Sequence, residues 1–125
     1  MRFMMFMIPD IKEENWMPSA EAVAAMRKYN EALSKAGMLR SLDGLHPPGK
    51  GARVSFKGGK PTVTDGARGA AKGAIGGYWM IEAKSKAEAV EWASRCPAAE
   101  GDVIEVRQVF EMSDFPEEIR KAAGH

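Results

Sequence analysis

Asp65, His46 and the pair Glu105 and Arg107 are the residues of this chain whose types and placement suit chemistry. Asp65 stands before Gly66 at the head of a glycine-rich run, where a carboxylate held by a tight loop can orient a base or bind a ligand. Asp-Gly is equally a favoured turn dipeptide, in which the aspartate bonds the backbone two residues on. His46 lies between a strand end and the rigid Pro47-Pro48, and an imidazole, which titrates near neutrality, suits proton transfer there; an ordinary surface histidine has the same surroundings. Glu105 and Arg107 are two apart on one strand and so point to one face. The arginine can capture a carboxylate or phosphate of a ligand, or close on Glu105 as a structural ion pair.

Other chemistries find no support. Lys72 is not placed in a Gly-x-x-x-x-Gly-Lys pattern, and no Gly-x-Gly-x-x-Gly run follows a strand and opens a helix, so the glycines from Gly66 to Gly77 do not form a phosphate loop. Cys96 is the lone cysteine, with no histidine beside it, and reads as a small buried residue at a helix end; no metal or cofactor is expected. His125 is terminal and carries no weight.

Eighteen basic and seventeen acidic side chains, interspersed over 125 residues, leave a net charge of +1. That pattern lacks the basic stripe of a nucleic-acid binder. The apolar opening, Met1 to Ile8, stops at Pro9-Asp10 and is followed by Lys12, Glu13 and Glu14 instead of a small-residue cleavage site, so it reads as a strand. No apolar run approaches the roughly twenty residues that span a bilayer. A cytoplasmic protein without membrane contact is the expectation.

These residues must be positioned by a modest set of elements. Phe3 to Ile8 is the first strand, apolar on both faces, which implies a strand covered on both sides. Ser19 caps a helix over residues 20–36, with Val23, Met26 and Leu33 on one face and Gly37 as its stop. A second strand, 38–45, ends at His46-Pro47-Pro48. Segments 53–56 and 61–64 flank Gly58-Gly59 as an exposed hairpin, like an insertion. Residues 74–82 form a strand. Ser85-Lys86-Ala87-Glu88 matches a capping box for a helix over 86–95. Residues 102–110 make the last strand, and a tail helix starts near Pro116.

Strand, helix, strand, hairpin, strand, helix, strand is the order of a ferredoxin-like split βαβ fold, an α+β class with an antiparallel sheet and a hairpin insertion. Two helices cover one face of such a sheet. The apolar second face of the first strand then predicts a homodimer with two sheets facing one another. Gly76 and Gly77 are expected to serve backbone geometry or close packing before Tyr78.

The run from Thr62 to Glu82 resembles the signature of the YCII-related, or DGPF-domain, family. The family turn reads Asp-Gly-Pro-Phe-Ala-Glu-Thr-Lys-Glu and leads into a Leu-Gly-Gly-Tyr-type strand. Asp65, Gly66, Lys72, Gly76, Gly77 and Tyr78 match it; Ala67 and Arg68 replace Pro-Phe, and Ala70 and Gly73 stand where the family has glutamates. The likeness extends through Gly44-Leu45-His46-Pro47-Pro48 to Glu105-Val106-Arg107. It implies a YCII-related domain over 1–112, a helical tail over 113–125 and the dimeric α+β barrel.

In the YCII-like branch the proposed catalytic histidine lies on the first helix, where this chain has none and offers Tyr29. The functional expectation is a small homodimer that binds an organic molecule in an interior pocket. Asp65 and His46 are its acid–base candidates for proton transfer or elimination, and Arg107, Glu105, Lys72 and Tyr78 its ligand contacts. The expected site is on the barrel-facing side of the sheet, near the Asp65 loop, with Arg107 as anion anchor and His46 at the rim. The alternative is a non-catalytic binding or regulatory module, since relatives of the family occur beside alternative sigma factors. Elimination chemistry requires Asp65 and His46 to converge; a regulatory module requires a further exposed apolar surface.

Overall fold

The computed structural model describes residues 1–66 and 73–124. Lys72, Ala67, Arg68, Ala70 and His125, named above, lie outside the described residues. The elements run β1 (Arg2–Ile8), α1 (Ala20–Lys35), β2 (Leu39–Gly44), β3 (Ala52–Lys57), β4 (Lys60–Asp65), β5 (Gly77–Glu82), α2 (Lys86–Ser94), β6 (Val103–Gln108) and α3 (Glu117–Ala122). Short 3-10 turns at Glu13–Asn15, Pro48–Lys50 and Met112–Asp114 fill the links.

Four strands form one antiparallel sheet in the order β2-β5-β1-β6, and β3 pairs with β4 in a separate ribbon. With the ribbon set aside, this is the second, third, first and fourth strand, the order of a ferredoxin-like sheet. Register follows from burial. Phe3 lies opposite Ile81, Met5 opposite Trp79 and Val106, and Met7 opposite Ile104, so one face collects the apolar side chains of three strands. In β2 a bulge between Leu39 and Ser41 lets Leu39 and Leu42, three residues apart, pack on that same face.

Both helices lie on it. Tyr29 and Leu33 of α1 and Ala89 of α2 join Phe3, Met5, Trp79 and Ile81 in the buried core. Tyr29 meets Trp79 edge to face at 5.8 Å and donates its hydroxyl to Trp92 O at 2.7 Å. Met4, Phe6 and Ile8 point to the other sheet face and are half-buried.

Caps set the helix ends. Ser19 Oγ accepts from Ala22 N at 3.1 Å, and Ser85 Oγ from Glu88 N at 3.1 Å. The return bond of the second box differs from the expected pattern: Glu88 Oε1 accepts from Lys84 N at 2.9 Å, one residue before the serine. β5 starts at Gly77, three residues later than the hydrophobic pattern indicates, although Gly76 still bonds toward both neighbouring strands, its N donating to Met7 O and its O accepting from Leu45 N.

Candidate functional site

A cavity of about 950 Å³ opens between α1, the link Pro9–Ser19 and the ends of β1, β2 and β5. It lies under α1, on the helix-covered side of the sheet. The site expected on the barrel-facing side is therefore not where this cavity sits, because the first helix stands off the sheet at its N-terminal half. Met7, Leu42 and Trp79 line it from the sheet, Val23 and Met26 from α1, and Trp16 and Met17 from the link. The link is held over the sheet by Trp16 Nε1, which donates to Leu45 O at 2.9 Å.

Polar groups in this cavity are few and mostly committed. Asp102 accepts from Asp10 N through Oδ1 and from Ala99 N through Oδ2, both at 2.9 Å, so its two oxygens staple the β1–α1 link to the start of β6. Arg27 and Glu31 pair with one another at 3.1 Å along the exposed side of α1. Asn30 differs. Its Oδ1 accepts from Trp79 Nε1 at 2.8 Å. An indole N–H only donates, so the amide oxygen must face it and the NH2 must face away. Among the described residues no acceptor takes those amide hydrogens.

At the edge of the cavity Tyr78 Oη donates to Asp43 Oδ2 at 3.0 Å across β5 and β2. The bond to the Asp43 carboxylate, with the negative charge behind it, raises the Tyr78 phenol above its ordinary value, so it remains a neutral donor.

The residues singled out by type are spread apart. His46 lines a separate cleft of about 650 Å³ with Lys50, Arg53, Pro47, Pro48 and Ile75. Asp65 ends β4, exposed and opposite Ala52, and lines neither this cleft nor the larger cavity. Gly66 beside it has φ +71°, the left-handed geometry that an Asp-Gly turn uses. Glu105 and Arg107 lie on the open sheet face, opposite Phe6 and Met4, with their charged ends 4.0 Å apart and side chains 52% and 71% exposed. A pair so exposed contributes little to stability. Of the candidate site residues among the described ones, Tyr78 alone reaches the large cavity, at its rim, from the strand position that alternates with Trp79 and pairs with Phe6.

Trp16, Asn30 and Asp43 escaped the sequence reading. Asn30 had a visible signal: it follows Met26 by four residues and precedes Leu33 by three, a polar side chain on the apolar face of α1. No group of three or more His, Cys, Asp or Glu is gathered for a metal among the described residues. Nor is any described helix long and apolar enough to cross a membrane.

The profile of the YCII-related domain matches residues 1–113. No curated protein matches the chain.

Proposed function

The chain belongs to the YCII-related family, and we propose that it binds a small, mostly apolar organic molecule in the cavity beneath α1. The observation that supports this is the cavity itself: about 950 Å³, walled by Met7, Trp16, Val23, Met26 and Trp79, with the Asn30 amide as an oriented donor. Ligand sites commonly combine such apolar walls with a few placed polar groups. A carbonyl or ether oxygen on a planar body suits it, because Asn30 offers hydrogens only and the flanking indoles offer flat faces.

The reading is of a binding module in preference to an acid–base catalyst. A general base needs its partner and its substrate within hydrogen-bond reach. Of the two cavities described above, His46 lines only the smaller and Asp65 neither. Asp102, which does line the large one, has both oxygens occupied by backbone N–H groups.

The protein acts as a homodimer in this reading. The half-buried Met4, Phe6 and Ile8 of β1, with Tyr78 and Met80 of β5, leave an apolar sheet face that a second copy can cover. Arg107 and Glu105 lie on that face and would sit at the contact.

Trp16 and Trp79 make binding measurable, since both indoles line the cavity. Titration of small aromatic ketones and esters is expected to quench tryptophan emission saturably, and a Val23→Trp variant that fills the space is expected to abolish the effect. Equal quenching in both proteins would place the ligand elsewhere and overturn the reading.

A further inference from the structure

The cleft that holds His46 is unbalanced in charge. Its described lining brings together His46, Lys50 and Arg53 with no carboxylate, beside apolar Pro47, Pro48 and Ile75. Arg2, Arg27, Arg40, Arg95 and Arg107 each pair with a glutamate, whereas Arg53 and Lys50 form no ion pair among the described residues. Two neighbouring acids are directed elsewhere. Glu13 accepts from Gly49 N at 2.6 Å through Oε1 and does not line the cleft. Asp65 pairs across the ribbon with Ala52, one position before Arg53, so strand alternation turns the aspartate and the arginine to opposite faces. The residues between Gly66 and Gly73 include no aspartate or glutamate.

The backbone beneath the three side chains is fixed. Pro47 and Pro48 each lock one dihedral angle, and in the turn that follows Lys50 N donates to Pro47 O at 3.0 Å and Gly51 N to Pro48 O at 2.9 Å. Gly66 N closes the root of the ribbon by donating to Gly51 O at 2.7 Å. A ligand entering here has only side chains to order, which lowers the entropy cost of binding.

We infer that this cleft is a second ligand site, distinct from the cavity beneath α1, and that it takes the phosphate group of a small phosphate monoester. Two permanent cations match a dianion, the main form of a monoester near neutrality, whereas a carboxylate would leave one of them unanswered. The Arg53 guanidinium offers a planar fork to two oxygens, the Lys50 ammonium a point charge and the His46 ring a further N–H. The donors are side chains, so the site differs from the glycine loop that the sequence excludes. At about 650 Å³ the cleft has room beyond the phosphate, and Pro47, Pro48 and Ile75, itself 41% exposed, give the organic body of the ester an apolar wall.

Calorimetric titration with phenyl phosphate at physiological ionic strength tests the site, with methyl phenyl phosphate and benzoate as singly charged comparisons. Phenyl phosphate is expected to bind on the order of tenfold more tightly than either. Equal affinities, or no binding at millimolar concentration, overturn the inference. Lys50→Gln with Arg53→Gln is expected to weaken phenyl phosphate binding on the order of tenfold or more. Lys57→Gln with Lys60→Gln removes the same charge at the ribbon tip, roughly 13 Å along the strand from Arg53 and beyond the screening length of about 8 Å, and is expected to leave the affinity within about twofold. All four side chains are exposed, so both variants are expected to keep the circular dichroism of the parent. Equal weakening by the two pairs would reduce the effect to net charge and overturn the cleft, as would full affinity in the Lys50 and Arg53 variant. Val23→Trp, which fills the cavity beneath α1, is expected to bind phenyl phosphate as the parent does; loss of binding there would place the phosphate in that cavity and overturn this inference while leaving the proposed function standing.

Discussion

Asn30 on α1 accepts the indole hydrogen of Trp79 on β5 at 2.8 Å, and this bond sets both the height of the helix over the sheet and the direction of the cavity's donor. Trp79 is 5% exposed, so its N–H has no solvent to turn to if the amide is removed. One side chain thus serves architecture through its oxygen and recognition through its nitrogen.

The two roles separate by substitution. Asn30→Leu is expected to cost about 1–3 kcal/mol in urea unfolding, because it strands a buried donor. Asn30→Asp keeps an acceptor for Trp79 while removing the amide hydrogens. It is expected to keep the thermal midpoint closer to that of the parent than Asn30→Leu does, yet to lose affinity for carbonyl ligands in the fluorescence titration. Retained affinity in Asn30→Asp would show that the amide does not contact the ligand.

Gly77 is a position of close packing, not of unusual backbone angle. A Cβ there would stand 2.9 Å from Asp43 O and 3.4 Å from Gly44 Cα, while its φ is not among the positive ones. The obstacle is backbone of the paired strand, which yields less readily than a side-chain tip. Gly77→Val is expected to destabilise by about 1–3 kcal/mol, the range of overpacked sites. An unchanged denaturation midpoint would mean that β2 can shift outward freely.

Much of the fold is legible in the order of hydrophobic periods and punctuation. Ser19, Gly37, Pro47-Pro48, Gly58-Gly59 and Ser85 mark element ends that the structure keeps within a few residues. The β2 bulge is not legible, since Leu39 and Leu42 at a spacing of three fit neither face of a regular strand. The cavity is less legible still. It depends on where Trp16 lands after an irregular link, and nothing in a run such as Lys12-Glu13-Glu14-Asn15 announces that its following indole will bond Leu45 O. Asp65 and His46 attract notice by residue type, whereas a shared site is created by the chain path, and of the two only His46 lines the cleft beside the ribbon root.

Arg2 and Glu111 form a two-toothed ion pair, Nε to Oε1 at 2.8 Å and Nη2 to Oε2 at 3.1 Å, tying the start of β1 to the segment after β6. The hydrogen bond from Arg2, then its charge, hold the Glu111 carboxyl below its usual range. A depressed carboxyl contributes stability above its unfolded value and loses it as pH falls through the folded one. Unfolding midpoints are therefore expected to decline on acidification below the ordinary glutamate range. Glu111→Gln is expected to show a shallower decline; an identical pH profile in the variant would remove the pair from the account of acid sensitivity.

Cys96 provides the final test, at the opposite end of the pH scale. It is half-buried and packed against the core, with Sγ 3.9 Å from Met26 Sδ. Burial, then the nearby Asp102 charge, push its thiol from 9.0 up to about 11. Because the folded state holds the proton more tightly, the associated stability is present below 9 and drains away as pH rises from there to about 11. The thiolate is the reacting species, so at pH 8 the folded protein is expected to react with an aromatic disulfide reagent far more slowly than protein unfolded in urea. Native reaction at the unfolded rate would show that the thiol is open to solvent and that α2 does not close over Met26 as the packing indicates.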